Sequence, residues 1–107
     1  MPQFAVYRNA NPGSREEFPF LVDVQADLFE ELDTRVVIPL ARCEELTGFP
    51  AQYLIPVLAF LGKPYALLTP QLAGIARNEL GPQMGSVADH ARTISNAIEF
   101  LMRGFLI

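Results

Sequence analysis

Tryptophan is missing from this chain, and cysteine and histidine occur once each, as Cys43 and His90. One cysteine cannot close an intrachain disulfide or build a cysteine-based zinc site within a chain, which fits a reducing compartment. One histidine gives no HxxxH pattern, and no Asp/Asn-rich calcium loop occurs, so neither a metal nor a cofactor is expected. Cys43 reads as a small, half-buried apolar residue and His90 as a surface residue in the first turn of a helix. Charge is also scarce, at 19% of residues, and twelve acids against eight bases give a net charge of -4. The bases (Arg8, Arg15, Arg35, Arg42, Lys63, Arg77, Arg92, Arg103) form no stripe along the sequence. Direct nucleic-acid binding, which depends on counterion release to a cationic surface, is disfavoured on that ground. Long apolar runs are lacking too: residues 46–62 carry no charge, but Pro50 and Pro56 interrupt them and they fall short of the ~20 residues a spanning helix needs. The start, Met1-Pro2-Gln3-Phe4, has no cationic and apolar signal pattern. A soluble cytoplasmic protein without membrane contact is expected.

What the chain does have is apolar content. Half of its 107 residues are hydrophobic and the mean hydropathy is +0.22, a globular composition at the usual size of one domain, residues 1–107. So few charged groups imply apolar surface left over after folding, and a homo-oligomer to cover it.

Phe4 to Arg8 is β-prone, and Asn9 through Glu17, with Asn-Pro-Gly-Ser at 11–14, reads as a polar hairpin loop. Phe18 through Gln25 follows as a strand with period-2 alternation: Phe18, Phe20, Val22 and Val24 on one face, and Pro19, Leu21, Asp23 and Gln25 on the other. Leu28 to Asp33 is a connecting turn, and Arg35 to Ala41 a strand in which Pro39 forces a bulge or bend. Cys43 through Pro50 is expected as a loop, Tyr53 through Leu61 as a strand, and Gly62-Lys63-Pro64 as the turn into Tyr65–Thr69. The segment Gln71 to Leu80 is a strand around Leu72 to Ile75 or a short helix, the strand favoured because Gly74 is a poor helix residue. Gly81-Pro82-Gln83-Met84-Gly85 reads as a turn.

Helix signals come late. Ser86 and Asp89 resemble an N-terminal cap, and Val87, Ala91, Ile94, Ile98, Leu101 and Phe105 recur at spacings of four and three on one stripe, with Gly104 as the natural terminator. Strands followed by one helix define a mainly β or small α+β domain.

No chemistry of bond breaking emerges. The acidic pairs Glu16-Glu17, Glu30-Glu31 and Glu44-Glu45 are sequence neighbours whose side chains diverge, which suits solvated loops better than an acid and a base. The glycines at 81 and 85 lack the lysine and context of a phosphate loop. The residues describe a protein that acts through contact surfaces and is not an enzyme. Its candidate exposed apolar side chains are Leu28, Phe29, Met102, Phe105, Leu106 and Ile107, with core filling as the alternative for Leu28 and Phe29.

Asp23-Val24-Gln25-Ala26-Asp27 followed by two bulky apolar residues and an acid, then Arg35-Val36-Val37-Ile38-Pro39-Leu40, Pro56-Val57, Leu68-Thr69 and Asn96-Ala97-Ile98 with Gly104 near the end, together resemble the CcdB toxins over nearly the whole chain. The resemblance implies a dimeric SH3-like antiparallel barrel with a C-terminal α-helix, the architecture shared with the MazF type. It also implies the toxin half of a type II toxin-antitoxin pair that binds the DNA gyrase A subunit, traps the cleaved gyrase-DNA complex and is neutralised by a CcdA-like antitoxin with a disordered segment. Contact with nucleic acid is expected only through the antitoxin complex. By position, the gyrase-facing residues are Leu28, Phe29 and Glu30 from the loop, and Glu99, Met102, Arg103, Gly104 and Phe105 from the helix end. The family's Asn-Leu-Met-Phe-Trp-Gly-Ile ending is here Glu99-Phe100-Leu101-Met102-Arg103-Gly104-Phe105, so Glu99 stands for Asn and Arg103 for the Trp that stacks in the gyrase cavity. At i, i+4 these two are placed to form a surface ion pair. Two alternatives accompany this reading: a degenerate protein that binds antitoxin without poisoning gyrase, and a MazF-like endoribonuclease, against which the scattered bases weigh.

Overall fold

The computed structural model describes residues 2–43 and 52–104. Its strands are β1 (Ala5–Asn9), β2 (Phe20–Asp23), β3 (Thr34–Arg42), β4 (Val57–Phe60), β5 (Lys63–Leu67), β6 (Ala73–Ala76) and β7 (Leu80–Ser86), followed by the helix α1 (Ala91–Arg103). All pairings are antiparallel, in the order β4-β5-β3-β2-β1-β7, and β6 adds to β3 off that path. The result is a curled half-barrel, mainly β, with one helix among the described residues: the α+β, SH3-like class expected from the sequence. No helix among the described residues is long and apolar enough to cross a membrane.

The nine residues of β3 carry the curl. Its first half pairs with β6 (Thr34↔Ala76 to Val37↔Ala73) and its last with β5 (Leu40↔Leu67 to Arg42↔Tyr65), both along the edge opposite β2. The change of partner falls at Pro39, which has no amide to donate and whose carbonyl accepts from Leu68 N at 3.0 Å. The irregularity expected at this proline is thus a hand-over between strands.

Phe20, Val22 and Val24 join Val6, Ile38, Leu40, Leu58, Phe60, Tyr65 and Leu67 in the core, closed by Val87, Ile94 and Ala97. Phe20, Phe60 and Tyr65 meet edge to face at centroid separations of 5.2 to 6.2 Å, each pair contributing about 0.5–1.5 kcal/mol beyond its buried area. The opposite face of β2 does not meet solvent as a half-buried sheet would, since Leu21, Asp23 and Gln25 are buried as well. On that face Leu21 shares a hollow with Phe18, Val37, Pro39 and Ile75, while Asp23 is held by Arg35 and Gln25 by the Val36 amide. Phe18 and Pro19, expected within this strand, precede it.

Three further expectations are corrected. The stretch Tyr53 through Leu61 is a strand only from Val57, because Pro56 cannot donate to a ladder and residues 52–54 turn. The turn before β5 is Leu61-Gly62 rather than Gly62-Lys63-Pro64. The Gly81–Gly85 stretch is not a turn but part of β7, an edge strand on β1 with two register shifts that accommodate Pro82. Its glycines serve close approach: a Cβ on Gly81 would lie 2.8 Å from the Arg8 carbonyl oxygen, and one on Gly85 2.9 Å from the Phe60 ring. The segment 73–76 is the favoured strand, and the expected loop at 44–50 lies outside the described residues.

The expected Ser86 cap of the helix is not made: Ser86 Oγ accepts from Ala88 N at 3.1 Å, but Val87 holds the cap position of the 3-10 turn Ala88–His90, and the α-helix starts at Ala91 behind His90. His90 is half-buried at this junction rather than fully on the surface. Gly104 ends the helix in the left-handed conformation, φ 77°, donating its N–H to the Phe100 carbonyl at 2.8 Å.

Candidate functional site

The loop between β2 and β3 is built from the Asp-Val-Gln-x-Asp block outward. Strand alternation sends Val22 and Val24 into the core and Asp23 and Gln25 to the other face, where Arg35 meets them from the start of β3. Asp23 and Arg35 are both 0% exposed. Arg35 Nε donates to Asp23 Oδ2 at 2.8 Å, its Nη2 lies 2.7 Å from the same oxygen, and Oδ1 accepts from Gln25 N at 3.0 Å. Both carboxylate oxygens are therefore satisfied inside the protein, as a buried charge requires.

Gln25 then bridges strand and loop. Its Oε1 accepts from Val36 N at 3.0 Å while its Nε2 donates to the Phe29 carbonyl at 2.7 Å, which Arg35 Nη1 also reaches at 3.5 Å. Asp27 Oδ1 accepts from Gln3 N at 2.7 Å, fixing the start of the loop to the chain's first segment. From the far side Arg77 Nη2 donates to the carbonyls of Glu30 and, at 2.9 Å, Leu32, and Arg77 N donates to Asp33 O at 2.8 Å. Inside this frame Asp27–Phe29 forms a 3-10 turn, with Phe29 N donating to Ala26 O.

With its carbonyls drawn inward, the turn presents its side chains outward. Leu28 is 85% exposed and Phe29 50%, and Leu32 joins them around an open hollow of about 470 Å³ that Asp27, Glu30 and Glu31 also line. Core filling is thereby excluded for Leu28 and Phe29. An apolar pair held by this many backbone anchors loses little conformational freedom on meeting a partner, which favours affinity.

The helix end is the second part. Ile94 and Ala97 are buried, Ile98 is half-buried, and exposure then rises through Leu101 to Met102 at 76%. The helix stripe therefore leaves the body before its last turn. Glu99 Oε2 and Arg103 Nε pair at 2.9 Å with both side chains about half exposed, the i, i+4 ion pair expected from the spacing. Such a pair contributes only a few tenths of a kcal/mol in water. Gly104 follows as the cap, and Phe105, with Leu106 and Ile107, lies outside the described residues.

Loop and helix end are positioned by different parts of the fold: the loop by Gln3, Arg35 and Arg77, the helix by the core and by the turns at Thr69–Gln71 and Ala88–His90. Sequence reasoning placed Leu28, Phe29 and Glu30 in the site but missed the residues that hold them, Gln25, Arg35 and Arg77, and the third apolar member, Leu32. Period-2 alternation already paired Asp23 with Gln25. For Arg77 the sequence offers no signal, because its loop partners lie more than forty residues away. Among the described residues no group of three or more His, Cys, Asp or Glu is placed to hold a metal ion.

A curled antiparallel half-barrel with one C-terminal α-helix among the described residues, displaying an anchored apolar turn and a half-exposed helix end, is a small domain of the SH3-like class. The family model described as CcdB protein matches residues 3–104, from the Gln3 anchor to the Gly104 cap, and the chain belongs to the CcdB family. That family makes it a toxin of a toxin-antitoxin system.

Proposed function

We propose that this toxin acts in the cytoplasm as a homodimer on the DNA gyrase A subunit, trapping the gyrase-DNA cleavage complex, and that a CcdA-like antitoxin neutralises it. The observation that carries the reading is the exposed Leu28-Phe29 pair on its braced turn, together with exposed Met102 at the helix end. Apolar side chains on a rigid support are what a contact hot spot needs, and they have no use in a solvated loop. The contact surface comprises Leu28, Phe29, Glu30, Glu99, Met102, Arg103, Gly104 and Phe105. Purified protein should inhibit gyrase supercoiling and raise gyrase-dependent DNA cleavage, and Leu28→Ser/Phe29→Ser should lose both while remaining folded. Full supercoiling activity at high molar excess of the unsubstituted protein would sink the proposal.

The Glu99–Arg103 ion pair favours a second reading, a degenerate member that binds antitoxin without arresting growth. In this reading the paired charges make the helix face polar where the family carries an aromatic anchor, a type of residue that often contributes several kcal/mol to an interface. Glu99→Asn/Arg103→Trp distinguishes the two. A gain of gyrase inhibition from none supports the second reading, and inhibition already present before the substitution supports the first, with Arg103 itself as a stacking and hydrogen-bonding contact.

A further inference from the structure

Of the eight bases that look scattered in the sequence, three are engaged within the fold, four gather in space and Arg92 is exposed on the helix. Arg35 is spent on Asp23, Arg77 on loop carbonyls and Arg103 on Glu99. Arg8, Arg15, Arg42 and Lys63 gather at one end of the sheet. Arg8, Arg15 and Arg42 line an open hollow of about 460 Å³ with Pro19 and Pro82, and Arg42 and Lys63 line a neighbouring one of about 380 Å³, so Arg42 joins the two. Strand register explains the gathering. Arg8 is in phase with Val6, Arg42 with Leu40 and Lys63 with Tyr65, all core residues, so the cations leave the core face where the apolar layers of the half-barrel end. Arg8 lies opposite Phe20 and Phe20 opposite Leu40, which puts the Cα atoms of Arg8 and Arg42 about 12 Å apart, two strand spacings across and two residues along.

None of these four cations has a carboxylate partner among the described residues. Arg8 makes a long contact to Met84 Sδ at 3.9 Å, and among the described residues Glu16 is the one acid lining the larger hollow. We propose that this mouth of the half-barrel is a sequence-independent site for the phosphate backbone of a nucleic acid. Three of its four cations are arginines, whose planar forks match phosphate oxygens. Among the described residues the lining of the larger hollow has no large apolar side chain to anchor a peptide, and its Pro19 and Pro82 offer no amide for strand addition. Charge without anchors suits a backbone better than an acidic peptide. The site lies at the other end of β3 from Leu28 and Phe29, about 26 Å away along the strand, so both surfaces can be occupied together.

The test is fluorescence anisotropy of a labelled mixed-sequence DNA duplex, a single-stranded RNA of equal length and a polyglutamate peptide against the full chain from 50 to 200 mM salt. Four engaged phosphates give a log-log salt slope of about -3.6 on duplex, a loss of about 150-fold over that range. In Arg8→Gln/Arg15→Gln/Arg42→Gln the slope should fall to about -0.9, a loss of about 3.5-fold. All three residues are exposed, and an unchanged circular dichroism spectrum verifies the fold. A stronger response to RNA than to duplex identifies the nucleic acid within the proposal. No binding to either at 50 mM salt, a slope unmoved by the triple substitution, or tighter binding of polyglutamate overturns it. The inference is independent of the gyrase reading: Leu28→Ser/Phe29→Ser should leave the salt slope unchanged.

Discussion

Replacing Arg35 by Met removes a guanidinium from a place where neither it nor Asp23 has any contact with water. The methionine fills much of the arginine stem's volume, so the loss is mainly electrostatic. Asp23 would keep the Gln25 amide on Oδ1 and lose both contacts to Oδ2. Stranding one partner of a buried pair costs about 3–5 kcal/mol, a large share of the roughly 5–15 kcal/mol that holds a domain folded. Asp23→Asn should cost a similar amount by stranding the arginine. The double variant Asp23→Asn/Arg35→Met has no buried charge and keeps an acceptor for Gln25, so its loss should fall well below the sum, with a coupling on the order of 3 kcal/mol. Equilibrium urea unfolding at fixed protein concentration, followed by far-UV circular dichroism because the chain has no tryptophan, measures all four corners of the cycle. Additive losses would refute the reasoning, since they would mean that the two charges do not support one another. The double variant should also retain the loop's Gln25 contact to Phe29 and thus more gyrase inhibition than either single variant at equal folded fraction.

Arg77→Gln removes the donor to the Glu30 and Leu32 carbonyls from an exposed position; it should cost about 1 kcal/mol or less while raising amide exchange across residues 28–32, and unchanged exchange there would show that the arginine does not brace the turn. The Tyr7 phenol is pushed above its usual 10.0 by burial first and then by the charge of Asp23, against opposing pulls from Arg35 and Arg77. The unfolded chain therefore loses this proton before the folded one does, and stability should fall as pH climbs past about 10 and less steeply in Tyr7→Phe, as urea midpoints from pH 9 to 11 would register. Leu61 holds φ +51° ahead of Gly62 at +76° in the two-residue turn between Phe60 and Lys63, and it is 60% exposed. Leu61→Asn should relieve the left-handed strain at no packing cost, gaining about 1 kcal/mol and raising the melting temperature by roughly 4 °C; a lower melting temperature would count against a strained turn.

The parts of the fold visible in the sequence are those where local chemistry and tertiary packing agree. The hairpin after β1, the strand through Val36–Leu40 and the Gly104 terminator carry turn, alternation and capping signals that the structure obeys. Strand β7 was hidden because its glycines and proline are turn residues by composition. Their function there is close approach to Arg8 and Phe60, which depends on chain segments far away in sequence. Tyr53 failed in the opposite sense: an aromatic in an apolar run looks like strand interior, but Pro56 separates it from the ladder and leaves it exposed. The bases show the same limit, since only strand register reveals that Arg8, Arg42 and Lys63 share a face.

The two halves of the candidate contact surface differ in what their sequence determines. In the loop, the residues fixed by the fold are not those that would touch a partner: Asp23, Gln25, Arg35 and Arg77 set the path of the backbone, and Leu28 and Phe29 can change without disturbing a buried contact. At the helix end Ile94 and Ala97 secure the helix, and Glu99, Met102 and Arg103 stand beyond the buried stripe. A sequence can therefore keep the scaffold intact while its target specificity drifts, because the stabilising and the recognising side chains are different residues. On the second proposed reading the Glu99–Arg103 pair is a change of this kind: an exposed ion pair contributes almost nothing to stability and makes the helix end polar. It follows that activity lost through this pair should return with Glu99→Asn/Arg103→Trp at nearly unchanged stability, whereas activity lost through the Arg35 frame should return only when the frame's charge balance does.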